Sequence, residues 1–326
     1  MKNIFITGGG GYVGVPLVDH LLKKGFKVTV LDLFLYGENV LSEHKNLTKI
    51  KGDIRDVNIL KKYLKNQEIV IHLACISNDP SFELNPTLGK SINLDAFEPL
   101  VKISRENNVR KFIYASSSSV YGIKEEKNVV EDMKLVPLTD YSKFKAQCEK
   151  ILFKYKSDNF ITTVVRPATV CGFSKRQRLD LVVNILSNLA YHKKEITVFG
   201  GSQLRPNINI NDMVGFYDLL INSDEKKING EIFNAGFQNY TVNQLAISVK
   251  KIVGDDIKII TKPTDDNRSY HISSQKIFDV LNFVPKFTIE DAISDLVSAF
   301  DNNRLIDPLN NKNYYNIKLM NSINLK

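Results

Sequence analysis

Along the first half of the chain, short apolar runs alternate with segments whose apolar residues recur at helical intervals. The runs lie near 3–7, 27–32, 48–51, 68–73, 111–115 and 161–166, and the helical segments near 12–24, 57–65, 86–107 and 140–156. A regular strand-helix alternation implies a parallel sheet covered by helices on both faces. The second half is less regular. Its strands are expected near 195–199, 207–210, 232–234 and 258–260, and its helices near 179–191, 212–221, 242–253, 274–281 and 289–302. The tail from Asn303, rich in asparagine and lysine, reads as loosely packed or disordered. No internal repeat or low-complexity linker interrupts the pattern.

The junction of the first strand and helix is rich in glycine: Thr7-Gly8-Gly9-Gly10-Gly11-Tyr12-Val13-Gly14 follows Ile4-Phe5-Ile6 and opens into apolar positions at Val15, Val18, Leu21 and Leu22. Pro16 falls in the first helical turn, where proline is tolerated. Free N–H groups and the helix dipole at such a junction receive a phosphate without a basic side chain. Gly8, Gly11 and Gly14 have the spacing of a dinucleotide-binding turn. The second strand ends at Asp32, whose carboxylate can accept hydrogen bonds from ribose hydroxyls and repels a 2′-phosphate. Leu33-Phe34 offers no arginine beside it, so the expected cofactor is NAD rather than NADP. The fold class expected is α/β, a Rossmann-like doubly wound parallel sheet with a smaller α/β C-terminal domain that binds substrate. Residues 1–170 form the first domain and 171–326 mainly the second, with segments near 205–236 returning to the first.

Composition narrows the partners. The chain has 326 residues and a formal charge of +8, but its basic residues are scattered rather than collected in one stretch. That favours a solvated surface over a nucleic-acid site. The cysteines Cys75, Cys148 and Cys171 show no metal-ligand or CxxC spacing, so no metal is expected and the thiols are read as free and mostly buried. The first strand begins near residue 3 and no apolar run reaches the ~20 residues that span a bilayer, so no membrane segment and a cytoplasmic location are expected.

Candidate chemistry lies in the middle of the chain. Tyr141-Ser142-Lys143-Phe144-Lys145 sets a tyrosine and a lysine four residues apart, on one face of a helix. A nearby ammonium favours the phenolate, which makes the pair a plausible unit for removing an alcohol proton. Alone, this spacing is common among surface helices. It gains weight from the strand 111–115, which ends in Ser116-Ser117-Ser118-Ser119-Val120-Tyr121-Gly122. Strand ends on this side of a doubly wound sheet face the ligand crevice.

Together these motifs resemble the extended short-chain dehydrogenase/reductase family, the nucleotide-sugar epimerases and dehydratases. The resemblance covers about residues 1–300 and rests on TGGGGYVG at 7–14, LD at 31–32, GDIRD at 52–56, IHLA at 71–74, Asn93, SSSSVYG at 116–122, YSKFK at 141–145, RPATVCG at 166–172, Arg205-Pro206 and Asp266 to Tyr270. It implies that the cofactor lies along Gly8, Gly11, Tyr12, Val13, Gly14 and Asp32. Asp53 and Ile54 then contact the adenine, and Leu73 and Ala74 line the pyrophosphate and ribose path. Asn93 supports the active-site helix. Ser117 is the catalytic hydroxyl, Tyr141 the base, and Lys145 the nicotinamide-ribose ligand that lowers the tyrosine pKa. Ser118, Thr169, Arg205 and Arg268 lie on the substrate side, with the arginines on the diphosphate of a sugar nucleotide. A homodimer paired through the helices near 86–107 and 140–156 is also implied, although Leu100, Ile103 and Phe153 could equally face the sheet.

Two departures from the family matter. Its dehydratases carry an Asp-Glu pair where this chain has Ser118 and Ser119, and a hydroxyl cannot replace a carboxylate as acid or base for water elimination. Thr169 stands where many members have an asparagine. The segments 75–86 and 175–184 also differ from common galactose epimerases, and both are expected to border the sugar. The leading expectation is NAD-dependent epimerisation of a nucleotide-activated sugar, at C4, through a 4-keto intermediate. The alternative is a C4 oxidoreductase with the same Ser/Tyr/Lys site. A third reading, a non-catalytic NAD-binding regulator, is disfavoured by the intact Ser117, Tyr141 and Lys145.

Overall fold

The computed structural model describes residues 2–77, 79–126, 128–264 and 269–323. The elements of the first half are β1 (Asn3–Thr7), α1 (Gly14–Lys23), β2 (Lys27–Asp32), β3 (Leu47–Lys51), α2 (Val57–Tyr63), β4 (Ile69–His72), α3 (Asp79–Glu83), α4 (Pro86–Lys90), α5 (Phe97–Glu106), β5 (Lys111–Ala115), α6 (Asp140–Lys154) and β6 (Ile161–Pro167). Those of the second half are β7 (Thr169–Cys171), α7 (Val182–Lys193), β8 (Glu195–Phe199), β9 (Leu204–Asn209), α8 (Ile210–Asn222), α9 (Glu225–Ile228), β10 (Glu231–Ala235), β11 (Gln238–Thr241), α10 (Val242–Val253), β12 (Lys258–Lys262), α11 (Gln275–Leu281), α12 (Ile289–Asp301) and α13 (Asn316–Ser322).

Seven strands form one parallel sheet in the order β10-β6-β5-β4-β1-β2-β3. The chain thus has the α/β, doubly wound, Rossmann-like architecture that the alternation predicts. Successive strand residues point to opposite faces. Ile4 and Ile6 of β1 enter a core with Val15, Val18 and Leu21 of α1 and Phe216 of α8. Phe5, between them, enters a second core with Phe97 and Leu100 of α5 and Leu152 of α6. Leu100 and Ile103 are therefore buried within the chain itself. The strand order reverses around β1, whose neighbours are β2 and β4, and there a crevice opens at the strands' C-terminal ends.

Beyond this sheet, β11, β9 and β7 make a three-stranded sheet and β12 pairs with β8. Helices α7, α10 and α12 enclose a third core there, built on Val183, Leu245, Val249 and Ile293. No helix among the described residues is long and apolar enough to cross a membrane.

Two segments differ from the sequence expectation. The stretch 86–107 is not one helix: a π-helical turn, Ser91–Asp95, separates α4 from α5. Asn93, in that turn, is occupied with the loop after β4, where its Oδ1 accepts from the Ile76 N–H (2.8 Å) and its Nδ2 donates to the Ile76 carbonyl (2.9 Å). The tail is not loose in its described part. Leu305 and Leu319 are buried, the Leu179 N–H donates to the Tyr314 carbonyl (2.8 Å), and α13 packs against α3. A few apolar and aromatic residues spaced among the asparagines suffice to dock it.

Candidate active site

The crevice holds a cavity of about 380 Å³ that runs from the glycine-rich turn to α6. At its floor, Gly8 adopts φ +75°, and a Cβ there would lie 2.5 Å from the Ala74 nitrogen. A Cβ on Gly14 would lie 2.5 Å from the Gly8 carbonyl oxygen. Both positions require glycine because strand, turn and helix approach one another closely. Apart from its chain neighbours, the Gly8 carbonyl oxygen is the one atom among the described residues within 4 Å of a Cβ built on Gly11. Tyr12 anchors the turn to the second half: its hydroxyl donates to the Gly172 carbonyl (2.7 Å) and accepts from Asn184 Nδ2 (3.0 Å).

Asp32, at the end of β2, accepts from the Gly10 N–H (2.9 Å) and the Phe34 N–H (2.7 Å). Burial raises the pKa of its carboxyl against these hydrogen bonds. Asp53 and Ile54, after the strand that pairs with β2, and Leu73 and Ala74, after β4, line the same cavity. A glycine cradle, a carboxylate at the second strand end and an open path between them fit a dinucleotide.

At the other end, helix α6 begins at a capping box in which Thr139 and Ser142 satisfy each other's backbone N–H. Thr139 is itself held by Asp79. This sets Tyr141 in the first turn and Lys145 one turn later. Lys145 is buried and donates to the Ala115 carbonyl (2.7 Å), with its Nζ 5.8 Å from the centre of the Tyr141 ring. Ser117 caps the short 3-10 turn after β5, its hydroxyl accepting from the Ser119 N–H (3.1 Å) and meeting the Ser119 hydroxyl at 2.8 Å, and it lines the same cavity as Tyr141. Burial pushes the Tyr141 phenol well above its ordinary value, with Cys75 and Asp79 adding to the effect; Arg178 and Ser117 draw it down. Burial thus outweighs the pull expected of a neighbouring ammonium.

Of the expected site residues, Gly8, Gly11, Tyr12, Val13, Gly14, Asp32, Asp53, Ile54, Leu73, Ala74, Ser117, Ser118, Tyr141, Lys145 and Thr169 all line this one cavity. Asn93 is buried behind it, bracing the loop after β4. Arg205 lies beside it, its guanidinium 5.3 Å from the ring centre of the lining residue Tyr270. Arg268 lies outside the described residues. Sequence reasoning singled out no individual role for Tyr36, Ser77, Arg176, Arg178, Asn316 or Met320, which also line the cavity. Only the basic run Lys175-Arg176-Gln177-Arg178 gave a signal, as a segment expected to border the sugar.

Residues 4–236 match the model of the NAD dependent epimerase/dehydratase family. The chain belongs to that family. It is therefore a member of a family of NAD-dependent enzymes, and the cofactor expected from Asp32 and the glycine turn is the family's own. This member is 28% identical over 313 residues to UDP-glucose 4-epimerase from Lactobacillus helveticus, over 89% of this chain and 94% of that protein. It is 25% identical over 324 residues to UDP-N-acetyl-alpha-D-glucosaminuronate decarboxylase from Bacillus cytotoxicus, over 92% of this chain and 98% of that one. The crystal structure of UDP-glucose 4-epimerase from Thermotoga maritima with UDP-glucose superposes with a TM-score of 0.84 at 26% identity, covering 93% of this chain and 99% of the other. Epimerases and a decarboxylase thus share this framework, and the reaction is decided within the site.

Proposed function

We propose that the protein interconverts the C4 epimers of a nucleotide-diphosphate sugar through a 4-keto intermediate. The observation that carries this reading is that Ser117, Tyr141 and Lys145 line a single cavity with the dinucleotide cradle, with Lys145 Nζ 5.8 Å from the Tyr141 ring centre. NAD, held along Gly8 to Gly14, Asp32, Asp53 and Lys145, supplies hydride acceptance and return when bound. The chain's own residues handle the proton. Tyr141 Oη, as the phenolate, takes it from the C4 hydroxyl and becomes the neutral phenol, and Ser117 Oγ steadies that oxygen. The same phenol returns the proton after the keto sugar has turned in the pocket.

The rest of the wall supports the choice of reaction. Ser118 and Ser119 line the cavity in place of the carboxylate pair that water elimination requires. Thr169 and Arg205 are assigned to the sugar-diphosphate side. The proposal includes a division into a cofactor domain at 1–170 and a substrate domain at 171–326, and a homodimer through α5 and α6, which light scattering would read.

The test is incubation with a panel of UDP, GDP, dTDP and CDP sugars, with NMR readout of C4 configuration. Epimerisation without net consumption of added NAD is the expected result. Stoichiometric NADH formation, or loss of carbon dioxide from a uronic acid, would replace it with a C4 oxidoreductase or a decarboxylase. Tyr141→Phe should lower turnover by about 10²- to 10⁴-fold and leave NAD binding intact.

A further inference from the structure

Two arginines on the cavity wall are buried with too little negative charge around them. Arg176 is 4% exposed and Arg178 8% exposed. Arg178 Nε donates to Asp180 (2.9 Å) and Nη1 to the Ser77 hydroxyl (3.2 Å), while Nη2 is buried with no hydrogen-bond partner among the described residues. Among the described residues Arg176 hydrogen-bonds only neutral groups: Nη2 donates to Asn316 Oδ1 (2.7 Å), Nη1 to the Gln177 carbonyl (3.3 Å), and the guanidinium lies 3.5 Å from the Tyr36 ring centre. Its Nε is also buried and unpartnered. One carboxylate, Asp180, therefore contacts one of the two guanidiniums, and no carboxylate among the described residues hydrogen-bonds the other. Burying a charge without a counter-charge is unfavourable, so the pair calls for an anion.

The surroundings say which anion. The Arg178 carbonyl accepts from Asn184 Nδ2 (2.8 Å), and the same amide donates to the Tyr12 hydroxyl in the glycine-rich turn. Arg176 stacks on Tyr36, in the loop after β2, and Arg178 touches Ser77, in the loop after β4; β1, whose end carries the glycine-rich turn, lies between those two strands, and both arginines line the cavity with that turn. Ser77, which Arg178 touches, follows the path residues Leu73 and Ala74. The two guanidiniums thus reach the loops on either side of the glycine-rich turn. At that turn the cofactor carries its pyrophosphate.

We propose that Arg176 and Arg178 form a second wall for the cofactor's pyrophosphate, added to the glycine-rich turn, and that Asn316 of α13 is the positioning residue that holds Arg176 there. Asn316 is suited to this. Its side chain also accepts from the Tyr36 hydroxyl (3.0 Å) and donates to the Ser77 hydroxyl (3.0 Å), and its N–H donates to Asp180 (3.0 Å). Guanidinium forks match phosphate oxygens, and two of them enclose a diphosphate that one helix terminus only touches. The inference rests on NAD binding, not on the C4 reaction, so a failure of the reaction assignment leaves it standing.

The test uses the full chain stripped of cofactor, titrated calorimetrically with ADP, adenosine, NAD and UDP. Arg176→Gln should weaken ADP and NAD by about 10- to 100-fold, the range for a hydrogen bond to a charged group, and leave adenosine unchanged. Arg178→Lys keeps a partner for Asp180 but loses the fork, and should weaken ADP and NAD in the same selective way. Asn316→Ala should do so by a smaller factor with both arginines intact. If Arg176→Gln does not fold, the other two variants carry the test. Folded variants that bind ADP like the wild type would overturn the proposal, as would a parallel loss of adenosine. Loss of UDP with ADP unaffected would assign the arginines to the substrate's diphosphate instead.

Discussion

Removing the carboxylate of Glu149 probes how the active-site loop is tied to its helix. Glu149 lies two turns after Tyr141 on α6 and is 3% exposed; Arg166, at the end of β6, is 2% exposed. Arg166 Nε and Nη2 donate to the two carboxylate oxygens at 3.0 and 2.7 Å, and Nη1 donates to the Tyr121 hydroxyl (2.7 Å) and the Glu131 carbonyl (2.9 Å). The Ser116 hydroxyl donates to the same carboxylate, so the network reaches the residue before Ser117. Glu149→Leu leaves a guanidinium buried without its counter-charge, which costs about 3–5 kcal/mol. Arg166→Met strands the carboxylate and should cost a similar amount. The double variant removes both charges, and replacing a whole buried pair by apolar groups is far less harmful than breaking it. Its destabilisation should therefore fall at least about 2 kcal/mol short of the sum of the two single effects. Urea unfolding followed by circular dichroism, at constant m-value, measures all three. Additivity within about 0.5 kcal/mol would refute the reasoning, because it would mean that neither charge depends on the other.

Three further outcomes follow from the same structure. His72 is buried beside Thr7 and Lys145, and burial pushes its pKa down to about 3, so the folded protein binds its proton later than the unfolded chain does. Its contribution is full above about pH 6.5 and is lost as pH falls towards 3, at up to about 1.4 kcal/mol per pH unit. His72→Gln should flatten the acid limb of stability against pH, and an unchanged limb counts against the assignment. Asp32→Asn removes the charge that repels a 2′-phosphate, so the ratio of NADP to NAD affinity should rise about tenfold or more in competitive titrations; an unchanged ratio would put selectivity elsewhere. Gly8→Ala combines a φ of +75° with a Cβ 2.5 Å from the Ala74 nitrogen and should lower both thermal stability and NAD affinity, whereas wild-type values would show that the turn can give way.

Much of the fold was legible because it is local. The periods of β1, α1, β2, β5, α6 and β6 are written in neighbouring residues, and burial of alternate strand residues in two cores is the only way to satisfy them. The glycine turn and the Tyr141–Lys145 spacing were legible for the same reason: the chemistry lies within a few residues of chain. The interruption of 86–107 was not, because Asn93 is drawn to Ile76, seventeen residues earlier in the chain, a partner no helical period announces. The docking of the tail was hidden by its polar composition, since a few apolar residues decide it. Likewise, Leu33-Phe34 correctly left no arginine next to Asp32 in sequence, yet Arg176 comes within electrostatic reach of it from the other half of the chain.

By itself, the sequence determined the parallel sheet, the glycine-rich turn with an acidic residue at the end of the second strand, and a Ser, Tyr and Lys set on one helix and one strand end. Tertiary structure alone decided that burial, not Lys145, dominates the Tyr141 phenol, and that Arg176, Arg178 and Asn316 complete the cavity wall. The reason is one of range. Backbone conformation and helical or strand periodicity act over a few residues, whereas desolvation and charge act through space among groups that only the folded chain brings together.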